Sequence, residues 1–217
     1  NLMAKQQFDS SQNISPRNLK RKSSLKRSME ILEATKLLLS EQGYDKLSLR
    51  KIAAITGIHL KTLQHYFPTK EILIKATLEY VQSLYEKKIQ EISSHSTDAE
   101  KNFKNYINYL VEDIKTIETA GFFYQLWAMA HVDKNTNNIM EKIYQAHTDS
   151  IENLIKAINP DMGNHMRKQR AVMIAALIEG MMLFLGYGKK RPKNTAHIEN
   201  EIIALCTNLA VTNDSLQ

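Results

Sequence analysis

Residues 48–70 read SLRKIAAITGIHLKTLQHYFPTK, and their spacing decides the fold. Ser48 is placed to cap a helix through Arg50, Ile52, Ala53 and Ile55, ending at Thr56 and Gly57, because its hydroxyl accepts a free N–H of the first turn. Gly57 stops that helix, since glycine takes the left-handed C-terminal conformation without a Cβ penalty. Ile58 follows where a chain leaving such a glycine turns an apolar side chain back onto the helix. His59 or its neighbour then opens a second short helix, in which Leu63 and Phe67 stand four apart and share one face. Ala53 is small where the two helices must cross closely. Two short helices joined by a glycine turn have helix-turn-helix geometry, which lays its second helix in the DNA major groove.

The opposite face of that second helix carries Lys61, Thr62 and His65, with Gln64 and Tyr66 at its edges. Each can donate a hydrogen bond to base-edge acceptors or phosphates. Any amphipathic helix has a polar outer face, so the pattern gains its meaning from the turn and flanks beside it. The longer run Ile31 to Ala76, ILEATKLLLSEQGYDKLSLRKIAAITGIHLKTLQHYFPTKEILIKA, resembles the DNA-binding domain of TetR-type transcriptional regulators. The similar features are Ile31-Leu32-x-Ala34, Gly43-Tyr44, Ile52-Ala53, Gly57-Ile58, Thr62-Leu63, His65-Tyr66-Phe67, and Lys70-Glu71 followed by Leu73. Two places depart from the family pattern. His59-Leu60-Lys61 stands where relatives tend to have a Ser-Lys-Gly-like opening, and Gln64 where they often have Tyr, so no operator sequence carries over.

Length and composition fit this reading. With 217 residues, 43% of them hydrophobic, the chain has material for one or two modest cores. No stretch approaches the roughly 20 apolar residues of a membrane span, and the first residues lack the apolar core of a signal peptide. The single Cys206 excludes an internal disulfide and suits a reducing, cytoplasmic setting, most simply as a buried small hydrophobe. Charge is uneven: residues 1–68 hold 12 Lys and Arg against 5 Asp and Glu, and residues 69–217 hold 17 against 18. The result is a cationic head on a near-neutral body.

Three parts are therefore expected: a disordered basic arm over 1–23, a helix-turn-helix domain over 24–70, and a helical ligand-binding and dimerisation domain over 71–217. The arm's cluster Arg17, Lys20, Arg21 and Lys22, continued by Lys26 and Arg27, is suited to phosphates or an adjacent minor groove, or equally to solubility alone. A first helix is predicted over 24–42, ended by Gly43. After Pro68, Thr69 is placed to cap a long helix over 70–93, whose first-turn N–H groups and exposed Lys70 offer an anion site. Such a helix joins the head to the body, so a tilt at its far end moves the head. Further helices are expected over 99–118, 121–131, 136–158, 164–187 and 195–211, making the fold all-α. The last two are the most apolar. The penultimate one, hydrophobic nearly all round, needs a second buried face. The family resemblance implies that these two helices of each subunit build a homodimer, which presents two heads to a palindromic operator in double-stranded DNA.

Candidate base-edge contacts are Arg50, His59, Lys61 and Gln64, with Leu60 either on a thymine methyl or packed. Ser48, Thr62, Tyr66 and Lys70 are candidates for phosphates, and His65 completes the polar face. In the body, aromatics and methionines are dense, and most are plain core. A small-molecule effector site is expected among Tyr106, Phe123, Trp127, His131, His147, Met173 and Glu179. The run from Phe123 to Ala130, with Ile178-Glu179-Gly180, is similar to regulators related to the choline-responsive betaine-pathway repressors. That similarity implies a cation cage of Trp127, a Tyr and Glu179, beside the alternative of a hydrophobic or amphipathic neutral ligand.

No metal-ligand spacing, phosphate loop or nucleophile elbow is present, and the seven histidines are scattered. The expectation is a TetR-like regulator, a repressor released by ligand, with no catalytic residues, metal or cofactor and no membrane partner. The alternative is a ligand-binding helical protein or enzyme with a vestigial DNA-binding head.

Overall fold

The computed structural model describes residues 16–213, and the side chains of residues 21–213. The described residues form helices α1 (Pro16–Gln42), α2 (Leu49–Ile55), α3 (Leu60–Tyr66), α4 (Lys70–His95), α5 (Ala99–Asp113), α6 (Ile117–Val132), α7 (Lys134–Ile158), α8 (Asn164–Leu185) and α9 (Ile198–Val211). A short 3-10 turn, Tyr44–Lys46, joins α1 to α2. Side chains cap most of the starts. The oxygens of Ser48, Thr69, Asp98, Thr116 and Asp133 each accept an N–H three residues on, satisfying donors that a helix start leaves free.

Two of the expected boundaries lie furthest from those observed. The first helix is already under way at Pro16, the first described residue, rather than starting at Ser24, so the expected disordered arm overlaps α1, and only residues 1–15 of it lie outside the described residues. The expected helix over 99–118 ends instead at Asp113, and α6 begins at Ile117. No glycine or proline marks this break. The Thr116 backbone and hydroxyl both donate to the Asp113 carbonyl, at 3.0 and 2.8 Å, so a threonine turn does the work of a breaker.

One core runs through the head and into the body. Ile31, Leu39, Ile52, Leu63 and Leu73 are almost completely buried in the head, as are Leu78, Phe103, Ile107, Leu126 and Ile151 further in. The α1 helix lies along α6 as well as α4. At the α1–α6 crossing, a Cβ on Gly121 would sit 2.3 Å from the Ser40 carbonyl oxygen. Ser40 Oγ lies 2.9 Å from the Glu118 carbonyl, to which it can donate. Only glycine permits this approach.

Along α8, Ala171, Ile174, Ala175, Ile178 and Met182 face inward, while Val172, Leu183 and Phe184 are exposed at 57%, 58% and 55%. Two arginines are buried in its first half, against the expectation of an apolar helix. Arg167 donates to the Met162 carbonyl at 2.9 Å and pairs with Glu152 at 3.2 Å. Arg170 donates to the carbonyls of Leu209 and Thr212 and so fastens the end of α9. Cys206 is wholly buried, which pushes its thiol up to about 11. Among the described residues, no helix is long and apolar enough to cross a membrane.

Candidate nucleic-acid interface and ligand cavity

The turn between α2 and α3 is built as the sequence dictates. Gly57 has φ of +65°, the Ile58 N–H reaches the Ala53 carbonyl at 3.0 Å, and the Gly57 N–H reaches Ala54 at 3.3 Å. This paired closure is a Schellman end, which re-satisfies carbonyls the helix has left open. It aims α3 so that Leu63 and Phe67 enter the core while Lys61, Thr62, Gln64 and His65 stand exposed, with Arg50 and His59 exposed nearby. Leu60 is half-buried. Tyr66 is also half-buried, with its ring centroid 6.0 Å from that of His65 and 6.5 Å from that of Phe67. Ser48 Oγ accepts from the Lys51 N–H at 3.2 Å, which leaves its own hydroxyl proton available.

Lys70 departs from expectation. Its ammonium is not exposed but folded back, donating to the Tyr44 carbonyl at 3.0 Å and lying 3.6 Å from the Tyr44 ring centroid. Burial lowers its pKa. The Tyr44 backbone N–H in turn donates to Gln125 Oε1 of α6 at 3.2 Å. Lys70, Tyr44 and Gln125 therefore tie α4, the 3-10 turn and α6 together.

Deeper in the body, α4 to α8 enclose a cavity of about 40 Å³, room for roughly two or three water molecules. Four of the seven expected ligand residues line it: Tyr106, Phe123, His147 and Glu179. Trp127 stands one bond behind, its indole N–H donating to the Tyr144 hydroxyl at 2.8 Å, and Tyr144 in turn donates to Glu179 Oε2 at 3.2 Å. The expected trio of Trp127, a Tyr and Glu179 is thus joined edge-on through hydrogen bonds. His131 and Met173 are not in the cavity. His131 is exposed near the end of α6, two turns beyond Phe123, and Met173 falls on the outward face of α8 with Val172.

Tyr85, Asp113 and Thr119 line the cavity without having been expected there, beside Tyr144, one of the dense aromatics of the body. Asp113 Oδ2 accepts from the Tyr85 hydroxyl at 2.8 Å and the Thr119 hydroxyl at 2.9 Å. Burial raises the Asp113 pKa in spite of these bonds. Burial also pushes Glu179 up to about 7, opposed by the Tyr144 hydrogen bond, and holds His147 down at about 4. His147 Nε2 and the Tyr106 hydroxyl are buried with no hydrogen-bond partner among the described residues. Such orphaned groups are costly and uncommon in proteins. No group of three metal-binding side chains occurs among the described residues.

Comparison with known proteins bears on the head and on the whole fold. Residues 31–77 match the bacterial regulatory proteins of the tetR family. The HTH-type transcriptional regulator PksA of Bacillus subtilis is 24% identical over 162 residues, covering 73% of this chain and 78% of that protein. A putative TetR-family regulator from Mesorhizobium loti superposes with a TM-score of 0.69 at 15% identity, over 86% of this chain and 96% of that one. A putative transcriptional regulator from Saccharomonospora viridis, solved in complex with choline, does so with a TM-score of 0.64 at 20% identity, over 84% and 95%. The two structures share the fold, a helix-turn-helix head on a helical body. The glycine-turned α2–α3 pair lies inside the segment that matches the tetR family, so the head is a TetR-type helix-turn-helix domain set on a helical body.

Proposed function

We propose that the chain is a homodimeric, ligand-responsive repressor that binds a palindromic operator and leaves it when an effector enters the body. The observation that carries the DNA part is α3 itself: a buried Leu63–Phe67 face opposite exposed Lys61, Thr62, Gln64 and His65. Arg50, His59, Lys61 and Gln64 read base edges, with Arg50 or Lys61 suited to guanine and Gln64 to adenine. Ser48, Thr62 and Tyr66 hold phosphates, and Leu60 packs at the edge of the groove. Lys70 braces Tyr44, leaving any phosphate at the start of α4 to the backbone N–H groups.

Residues 24–70 act as the head and 71–217 as the body, with α4 continuous between them. The exposed stripe of Val172, Leu183 and Phe184 on α8, with Leu205 on α9, is the surface a second copy covers. An effector larger than a few water molecules must part α4 from α7, because Gln82, Tyr85 and Glu86 form one wall of the cavity and Ala146, His147 and Ser150 another. Movement of α4 shifts both heads, and the two half-sites can no longer be engaged together. The choline held by the Saccharomonospora viridis protein makes a small organic molecule a reasonable kind of effector here.

Selection of random duplexes on the purified chain at near-physiological salt tests this. A palindrome whose half-sites lie about one DNA turn apart is the expected result. Recovery of only sequence-independent, strongly salt-sensitive binding would sink the reading.

A further inference from the structure

We propose that the cavity takes an organic ammonium ion that carries N–H groups on a small apolar body. This deepens the regulator reading and rests on it for the word effector. Three carboxyl side chains line the cavity: Asp113 and Glu179 inside it, and Glu86, an exposed residue, at its rim. Among the described residues no lysine or arginine lines it. The nearest influence of a cation is Lys36 of α1, felt by Asp113, and its ammonium is already paired with Glu33 at 2.8 Å. Glu118 acts on Asp113 in the opposite sense.

An anionic ligand would meet these carboxyls with nothing to offset the repulsion. A neutral apolar ligand would leave them desolvated with only the hydroxyls of Tyr85, Thr119 and Tyr144 as partners. A cation converts the same groups into partners, and the rings of Phe123 and the cavity tyrosines give it aromatic walls.

The orphaned atoms narrow the class further. His147 is buried and neutral, so one ring nitrogen is an acceptor, and in the tautomer protonated at Nδ1 that acceptor is the unpartnered Nε2. A ligand N–H satisfies it, whereas a quaternary ammonium has none to give. The Tyr106 hydroxyl, also unpartnered, can accept a second.

Proton linkage follows from the same groups. Tyr85 and Glu86 of α4, Tyr106 and Asp113 of α5, and Tyr144 and His147 of α7 line the cavity with Glu179. None of them brings a positive charge at neutral pH. Burial keeps the Glu179 carboxyl partly protonated near neutrality. A bound ammonium favours the carboxylate, so binding releases a proton and weakens as pH falls.

The test is calorimetry and thermal shift on the full chain with hexylamine and phenethylamine, their alcohol counterparts, hexanoate and phenylacetate, and choline. The two amines should bind at least about tenfold tighter than the alcohols, the size of one charge-assisted hydrogen bond. Glu179→Gln and Asp113→Asn, which keep the shape and one acceptor oxygen, should each weaken amine binding by about tenfold or more. Lowering the pH from about 8 to about 6 should weaken it in the native chain and not in Glu179→Gln.

Alcohols or carboxylates binding as tightly as the amines, or choline outranking both amines, would overturn the inference. So would amine affinity unchanged in both variants, or no amine binding at millimolar concentration. Circular dichroism of the variants separates loss of fold from loss of binding. Binding to the selected duplex, run in parallel, separates the two readings. A chain that holds its palindrome but answers only to alcohols or carboxylates keeps the regulator reading and loses the ligand class. One that binds amines but selects no palindrome does the reverse.

Discussion

In the head, Lys61, Thr62, Gln64 and His65 stand in solvent on one seven-residue helix, anchored from behind by Leu63 and Phe67. In the body, Asp113, His147 and Glu179 come from three different helices and are turned away from water. An exposed polar face costs nothing to keep and waits for a partner. A buried polar cluster costs stability until something completes it. The head is therefore a surface held by its core, and the cavity a part of the core that keeps unpartnered polar groups.

The largest test of that contrast lies under the head. Leu63→Ala removes a side chain with no exposed surface and should lower stability by about 2–5 kcal/mol in urea denaturation. A loss below about 1 kcal/mol would mean that α3 is not anchored as described.

The cavity should behave in the opposite sense. The Glu179 carboxyl titrates at about 7 in the folded chain against an ordinary 4.5, so it takes stability away as pH rises between those values. Replacing it with Gln should leave stability near unchanged at acid pH and raise it by about 2–3 kcal/mol above pH 7, read from denaturant midpoints. If Glu179→Gln destabilises the chain equally at both ends of that range, the carboxyl is a satisfied structural group and the contrast fails.

Next in size is Lys61→Ala, which should weaken operator binding by about 1–3 kcal/mol and relax specificity at one position of each half-site. A uniform loss over all duplexes would instead make Lys61 a phosphate contact. The smallest effect sharpens the head's geometry. Gly57 has φ of +65° and open space where a Cβ would go, so Gly57→Ala should cost only the left-handed backbone penalty, about 1–2 kcal/mol. A larger loss would reveal a packing role that open space does not suggest.

The same contrast explains what could be read from residue order alone. Ser48, Gly57, Ile58, Leu63 and Thr69 act within a few residues of themselves, so their spacing determines their roles. Lys70 looked like a free cation because its partner, Tyr44, lies in another element. Tyr85, Asp113 and Tyr144 meet only after five helices have packed, and nothing in their local sequence distinguishes them from ordinary surface or core residues. Met173 and His131 were expected in the cavity by residue type, but the rotation of each helix carries them outward. The α5–α6 break was hidden because a threonine and an aspartate made it where glycine or proline was sought.

The close crossing at Gly121 also has a mechanical side. Two rods that touch backbone to backbone, with the Ser40 hydroxyl reaching across to Glu118, have no side-chain cushion through which to slide. Sliding would break that hydrogen bond and drive Ser40 into the next residue of α6, whereas rotation about the contact preserves both. The crossing is a fixed point at which α1 and the body meet without slack.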